Sequence, residues 1–203
     1  MILAIESAIC GGSISLLENG KEIAAWIGSS TASKAEDLLV NIDAVLASTG
    51  VSKRDIDLVA VSAGPGSFTG IRIGLATALG LKVGLGIEMA SESALKAMVR
   101  GTAASRLIAA ALPVGRNSVC LQEFHLADGK PVSIADPQTM PEAAFFEFLE
   151  QDREFVLHGS LYDRAETRSQ ISNFGTNIAR AIGLVCADDP GVLAEPLFIS
   201  KSI

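Results

Sequence analysis

Three short runs of apolar residues open the chain: Ile2 to Glu6 (ILAIE), Ser13 to Glu18 (SISLLE) and Lys21 to Ile27 (KEIAAWI). Their length and β-branched content predict strands. Asn19-Gly20, between the second and third, predicts a two-residue hairpin, because both turn positions need positive φ. The chain therefore opens as an antiparallel meander. Ser33-Lys34-Ala35-Glu36 has the form of a capping box, and Leu38, Leu39, Ile42, Val45 and Leu46 then recur at helical spacing. A helix is predicted over 34–48, stopped by Gly50. Asp57 to Ser62 (DLVAVS) reads as a buried strand, and a glycine-rich loop over 64–70 leads into an apolar stretch, Ile71 to Ile87, read as a buried helix. A short strand near Ile87 and a helix from Ser91-Glu92 to about Arg100 close the first half.

The second half repeats this grammar. Arg106 to Leu112 and Ser118 to Phe124 read as strands, and Asp128-Gly129 stands where Asn19-Gly20 stood. A strand near Val132, a Pro141-led helix to Leu149, a strand at Phe155 to His158 and a helix at Asn177 to Ala187 follow. A β-β-β-α-β-α unit occurring twice is the inference, with lobes at 1–102 and 103–203. Two such units side by side are the layout of the α/β actin-like (ASKHA, ribonuclease H-like) fold, in which ligands occupy the cleft between lobes. Fold alone does not assign function.

Composition narrows the field. Of 203 residues, 49% are apolar and 19% charged, which excludes intrinsic disorder, since such a chain buries enough surface to offset its ordering entropy. The 16 basic against 23 acidic residues, a net charge of −7, argue against a broad nucleic-acid-binding surface. Cys10, Cys120 and Cys186 are widely spaced without a C-x-x-C, fitting neither a disulfide framework nor a zinc site. A cytoplasmic location is expected. Ile71 to Ile87 sits at the lower length limit for a membrane span and contains Arg72 and Lys82, so no membrane association is expected. The amino terminus has no basic region before its apolar run, so no secretory signal is expected.

The loop Gly64, Pro65, Gly66, Ser67, Phe68, Thr69 and Gly70 lies between a strand and a helix start, where backbone N–H groups can hold an anion. It matches neither a Walker A loop nor G-x-G-x-x-G. The other reading is a tight turn that brings helix and sheet together. Gly70, Gly74, Gly80 and Gly84 along the following helix each cost up to about 1 kcal/mol relative to alanine and call for a compensating close approach, to the chain's own sheet or to a partner. Nucleotide chemistry in an actin-like fold uses the hairpin loops of each lobe with a strand-end acid. Here those positions read Glu6-Ser7-Ala8 and Pro113-Val114-Gly115, so ATP hydrolysis is not expected, and Glu6 is read as a strand-end residue bonded to backbone. His125 and His158 lack ligand spacing and are read as structural; no metal site or cofactor is expected.

From Val61 to Gly86, VSAGPGSFTGIRIGLATALGLKVGLG closely resembles the segment that marks the TsaB family, also called YeaZ. The opening ILAIES, SISLLENGK and Ala35-Glu36-Asp37-Leu38-Leu39 are similar too, and Ala194-Glu195-Pro196-Leu197 is a weaker echo. The resemblance implies the actin-like fold and a non-catalytic subunit that pairs with a catalytic paralogue, TsaD, and with an ATP-binding member, TsaE. Together these transfer a threonylcarbamoyl group to adenosine 37 of tRNAs, which this chain would meet only through the complex. In the family the pairing surface is formed by the first lobe's two helices. That implies Leu38, Leu39, Ile42, Ile71, Arg72, Gly74, Leu75 and Ala78 as partner-binding residues and no catalytic residue; an exposed apolar helix face would also permit a homodimer when the partner is missing. The chain departs from the family pattern at Glu6, at Lys34, at Pro113-Val114-Gly115, and at Phe198 and Ser200. The alternatives are a nucleotide-dependent phosphotransferase using Glu6 and the hairpin loops, and an M22-type glycoprotease-like metallopeptidase.

Overall fold

The computed structural model describes residues 1–29, 37–100, 102, 107–115, 117–151, 153–165, 170–188, 190, 192–193 and 196. The chain forms two compact units, Met1–Ala94 with Asn177–Ile203, and Leu95–Thr176. This division differs from the boundary expected after residue 102, because the last helix belongs with the first unit.

In the first unit, β1 (Ile2–Glu6), β2 (Ser13–Glu18), β3 (Lys21–Ile27), β4 (Leu58–Ser62) and β5 (Glu88–Glu92) form one sheet in the order β3-β2-β1-β4-β5. β1 pairs antiparallel with β2 and parallel with β4, and β4 pairs parallel with β5. Asn19 and Gly20 have φ of 51° and 74°, as the predicted hairpin requires. Side chains alternate across this sheet. Leu3, Ile5, Ile14, Leu16, Val59 and Val61 meet α1 (Leu38–Thr49) and α2 (Phe68–Leu85) in one core, to which α1 contributes Leu38, Ile42, Val45 and Leu46. Gly50 ends α1 in the left-handed conformation, as expected. The capping box at 33–36 lies outside the described residues.

The opposite face is lined by small residues such as Ala4, Ser13, Ser15 and Ala60, and it receives α6 (Ile178–Cys186). Gly183 lets that helix approach: a Cβ there would stand 2.6 Å from Leu17 Cδ1 and 3.0 Å from the Ala4 Cβ. Ser13 Oγ accepts from the Ala179 N–H at 3.0 Å, and the Asn177 amide donates to Glu22 at 2.8 Å. Both bonds secure the helix start to the hairpin.

The second unit repeats the topology. β6 (Ile108–Pro113), β7 (Ser118–Ala127), β8 (Lys130–Ser133), β10 (Glu154–His158) and β11 (Ile171–Gly175) take the order β11-β10-β6-β7-β8, the counterpart of the first sheet. β9 (Gln138–Pro141) adds to β7 beyond the pattern read from sequence. α4 (Glu142–Phe148) and α5 (Gly159–Tyr162) accompany these strands, and Phe145, Phe155, Leu157 and Leu161 fill the core. Asp128-Gly129 turns with φ of 52° and 73°, as expected. The duplicated sheets are those of the actin-like fold.

One expected helix start moves. Ser91 and Glu92 complete β5, paired with Val61 and Ser62, and α3 (Ala94–Val99) begins only after them. Both side chains are buried in the sheet row, so the ladder takes them rather than the helix.

Candidate functional site

The β1–β2 loop and the loop that opens α2 are built against each other. Glu6, at the end of β1 and 1% exposed, turns its carboxyl back to accept the N–H groups of Ala8 and Ile9, the latter at 2.9 Å. This is the backbone-bonded role read from the sequence. Cys10, Gly11 and Gly12 all have positive φ, which returns the chain sharply into β2. Residues 64–70 then rest on Ser7 and Ala8. The Ser67 N–H donates to Ala8 O at 2.9 Å, and Ser7 Oγ donates to Gly70 O at 2.9 Å. A Cβ on Gly66 would stand 2.7 Å from the Ala8 Cβ, and one on Gly70 would stand 2.7 Å from the Ala8 Cα.

Of the two readings of this loop, close approach is therefore realised at Gly66, Gly70 and Gly74. Several N–H donors near the loop are engaged within the chain: Ser67 Oγ, the helix N-cap, accepts from the Gly70 N–H, and Ala8 and Ile9 give theirs to Glu6. Gly64, with positive φ, and Pro65, joined to it by a cis bond, are buried beneath the loop, while Ser67, Phe68 and Thr69 are exposed.

Burial pushes the Glu6 carboxyl up to about 8, against the lowering pull of its two N–H donors. In the second unit, burial pushes His158 down to about 4, opposed by Asp163; its Nδ1 faces Ser160 Oγ at 2.9 Å and caps α5. The signs are opposite. A raised carboxyl favours the folded first unit below about pH 4.5, and that contribution is lost as pH rises through 8. A depressed imidazole favours the folded second unit above about pH 6.5, and that contribution is lost as pH falls towards 4. Amide hydrogen exchange should show the first unit loosening as pH rises from about 4.5 to 8 and the second loosening as pH falls from about 6.5 towards 4. Glu6→Gln should flatten the first trend alone.

The outer surface of the first unit's helices carries the other notable feature. The apolar run Ile71 to Ile87 predicts a buried helix; instead only one face of α2 is buried, through Gly70, Ile71, Gly74 and Ala78. On the other face, Phe68, Arg72, Ala76, Leu79 and Val83 follow one another at helical spacing. Phe68 is 53%, Leu79 54% and Val83 76% exposed, and Arg72 lies over the Phe68 ring at 5.3 Å. On α1, Leu39 and Val40 are 58% and 67% exposed. A continuous apolar helix face of this kind marks an interaction surface more often than a scatter of single side chains does.

The eight residues expected at a pairing surface divide accordingly. Leu38, Ile42, Ile71, Gly74 and Ala78 are buried in the unit's own core, where a side chain such as Ile42 or Ile71 contributes about 2 kcal/mol by leaving water. Leu39 and Arg72 are exposed and Leu75 half-buried, so they remain at the surface, joined by Phe68, which the sequence placed in the loop, and by Val40, Leu79 and Val83, which sequence reasoning did not single out. Helical spacing revealed two faces on each helix, but both faces of α2 are apolar, so the pattern held no sign of which one meets the sheet.

In the second unit Pro113-Val114-Gly115 forms a tight turn, closed by the Val114 N–H donating to Ser118 O at 2.8 Å. His125 is exposed on β7 opposite Val132, and among the described residues no three His, Cys, Asp or Glu side chains gather as metal ligands.

The sequence model of a family described as TsaD, tRNA N6-adenosine threonylcarbamoyltransferase, matches residues 30–139. The chain is similar to the tRNA threonylcarbamoyladenosine biosynthesis protein TsaB of Escherichia coli (strain K12), with 34% identity over 54% of this chain and 48% of that protein. It thus spans about half the length of that relative. It is 26% identical to TsaB of Bacillus subtilis (strain 168) over 78% of this chain and 70% of that one. Among solved structures, YeaZ from Pseudomonas aeruginosa matches with a TM-score of 0.66 at 19% identity, over 92% of both chains. Component A of the (R)-2-hydroxyglutaryl-CoA dehydratase of Acidaminococcus fermentans matches with a TM-score of 0.53 at 11% identity, over 91% of this chain and 96% of that one. At these identities the likeness to the solved structures is one of fold.

Proposed function

Since the chain belongs to the TsaB (YeaZ) family of tRNA threonylcarbamoyladenosine biosynthesis proteins, we propose that it serves in the cytoplasm as a non-catalytic scaffold of the threonylcarbamoyl transfer complex. It docks through the outer faces of α1 and α2 onto a TsaD-like catalytic paralogue, with a TsaE-like ATPase as third member, and meets tRNA only through that assembly. The observation that carries this reading is the exposed apolar stripe of α2, Phe68 to Val83, together with the exposed Leu39 and Val40 on α1 of the same unit. A face of that composition is stabilised by being covered. Without the paralogue, two copies pair through the same face.

Two features weigh against the enzymatic alternatives. Phosphoryl chemistry at the β1–β2 loop needs N–H donors for the phosphates, and Ala8 and Ile9 already direct theirs to the Glu6 carboxyl. Peptide hydrolysis by a metal centre needs clustered imidazoles, whereas His158 caps α5 and His125 points to solvent.

The test is reconstitution. The purified chain should co-elute one to one with the TsaD-like paralogue and raise threonylcarbamoyladenosine formation on tRNA, while calorimetry of the chain alone with magnesium ATP should register no binding. Stoichiometric nucleotide binding with turnover by the isolated chain would overturn the scaffold reading.

A further inference from the structure

The start of α2 is held by a contact the scaffold role leaves unexplained. Ser7 is buried, and its hydroxyl sits between two successive turns of the helix. Toward the first turn, Oγ donates to Gly70 O at 2.9 Å, a second bond to a carbonyl that the helix ladder also uses. Toward the next turn, the same oxygen fills the space of an absent side chain. A Cβ built on Gly74 would stand 2.5 Å from Ser7 Oγ, yet 3.5 Å from Val61 Cγ2 and 3.8 Å from Ser7 Cβ. The last two are ordinary van der Waals separations. One hydroxyl oxygen is therefore all that bars alanine at position 74.

Gly70 is different in kind, since a Cβ there would strike the main chain of Ser7 and Ala8, which no side-chain change relieves. Around this point the β1–β2 loop is stiffened by the Glu6 carboxyl on Ala8 and Ile9 and tied to the loop ahead of α2 by the bond from the Ser67 N–H to Ala8 O. Phe68, Arg72 and Ala76 lie on the outer side of the turns that Ser7 grips.

We propose that Ser7 is a positioning residue for the docking face: through Gly70 O and the empty side-chain space of Gly74 it sets where the first turns of α2, and with them Phe68, Arg72 and Ala76, stand above the sheet. This rests on the reading of α2 as the docking helix. It adds a specific pairwise dependence between positions 7 and 74.

The experiment compares the full chain with Ser7→Ala, Gly74→Ala and the double variant, well below the unfolding midpoint. It reads amide hydrogen exchange over residues 68–76 and affinity for the TsaD-like paralogue. Gly74→Ala should speed exchange there by about tenfold and weaken paralogue binding by about tenfold. Exchange in β6 and β7 should not change. Ser7→Ala alone should speed exchange and weaken binding by severalfold through the lost bond to Gly70 O, and the double variant should match Ser7→Ala to within about threefold, because the new methyl then meets Ser7 Cβ at a normal distance. Equal perturbation in Gly74→Ala and the double variant, or none in either, would overturn the proposal. Should Gly74→Ala fail to fold, a folded double variant with the exchange of Ser7→Ala supports the pairing, and a double variant that also fails to fold overturns it. If the wild-type chain itself does not bind the paralogue, the docking reading falls, while the exchange measurements still decide whether Ser7 places the helix.

Discussion

Val83→Glu combined with Leu79→Asp should abolish co-elution with the TsaD-like paralogue while leaving the isolated chain folded. Both side chains are largely solvent-exposed on the outer face of α2, so carboxylates there stay hydrated in the free chain and should together cost its stability about 1 to 1.5 kcal/mol, counting the like-charge pair at i,i+4. In a docked complex the same groups would lose water against an apolar surface without a compensating cation. The expected loss is at least about a hundredfold in affinity, or about 2.7 kcal/mol. Size-exclusion chromatography of the mixture reports the first quantity and thermal unfolding of the chain alone the second. Undiminished co-elution of a folded double variant would remove α2 from the docking surface. The same test at Ile42 or Ala78 would not be informative, since both are buried and a charge there attacks the fold itself.

Gly70→Ala should destabilise the first unit by about 3 kcal/mol, although alanine is the better helix former by up to about 1 kcal/mol. The steric effect wins because the new methyl meets main-chain atoms of Ser7 and Ala8, which are fixed between β1 and the Gly11-Gly12 turn. Gly80→Ala and Gly84→Ala, in the same helix, should do the reverse. Nothing lies within 4 Å of a Cβ at either position, so the propensity gain of about 0.5 to 1 kcal/mol is unopposed. Urea unfolding midpoints of the three single variants measure this split. A uniform response would mean that the close approach at Gly70 is not what positions α2. Of the four costly helix glycines, Gly70 and Gly74 thus meet a close approach within the chain itself, whereas Gly80 and Gly84 meet none there.

Much of the site is legible in the sequence. The Asn19-Gly20 and Asp128-Gly129 hairpins, the strands around them and the stop at Gly50 follow from local chemistry, because positive φ at consecutive positions admits few residues. Glu6 can be read as backbone-bonded, and the loop over 64–70 as a place of close approach. Elements whose burial is one-sided or slight escape notice. β11 holds Ser172 and Asn173 exposed at a sheet edge, and β9 borrows its order from pairing with β7, so neither shows a hydrophobic period of its own.

Local pattern by itself determined the strand and turn sequence of each half, the doubling of that unit and, through the stretch from Val61 to Gly86, the family. These depend on neighbours within a few residues, where backbone conformation and side-chain period act directly. Only the tertiary structure decided which face of α2 is hidden, and that α6 joins the first unit rather than the lobe that precedes it in sequence. Those outcomes rest on residues far apart in the chain. The Ser7 hydroxyl claims the Gly70–Gly74 side of α2, and a sheet face of Ala4, Ser13, Ser15 and Ala60 is shallow enough for a helix bearing Gly183. Such fits depend on the shapes of two surfaces at once, and the period of either segment alone carries no record of the other.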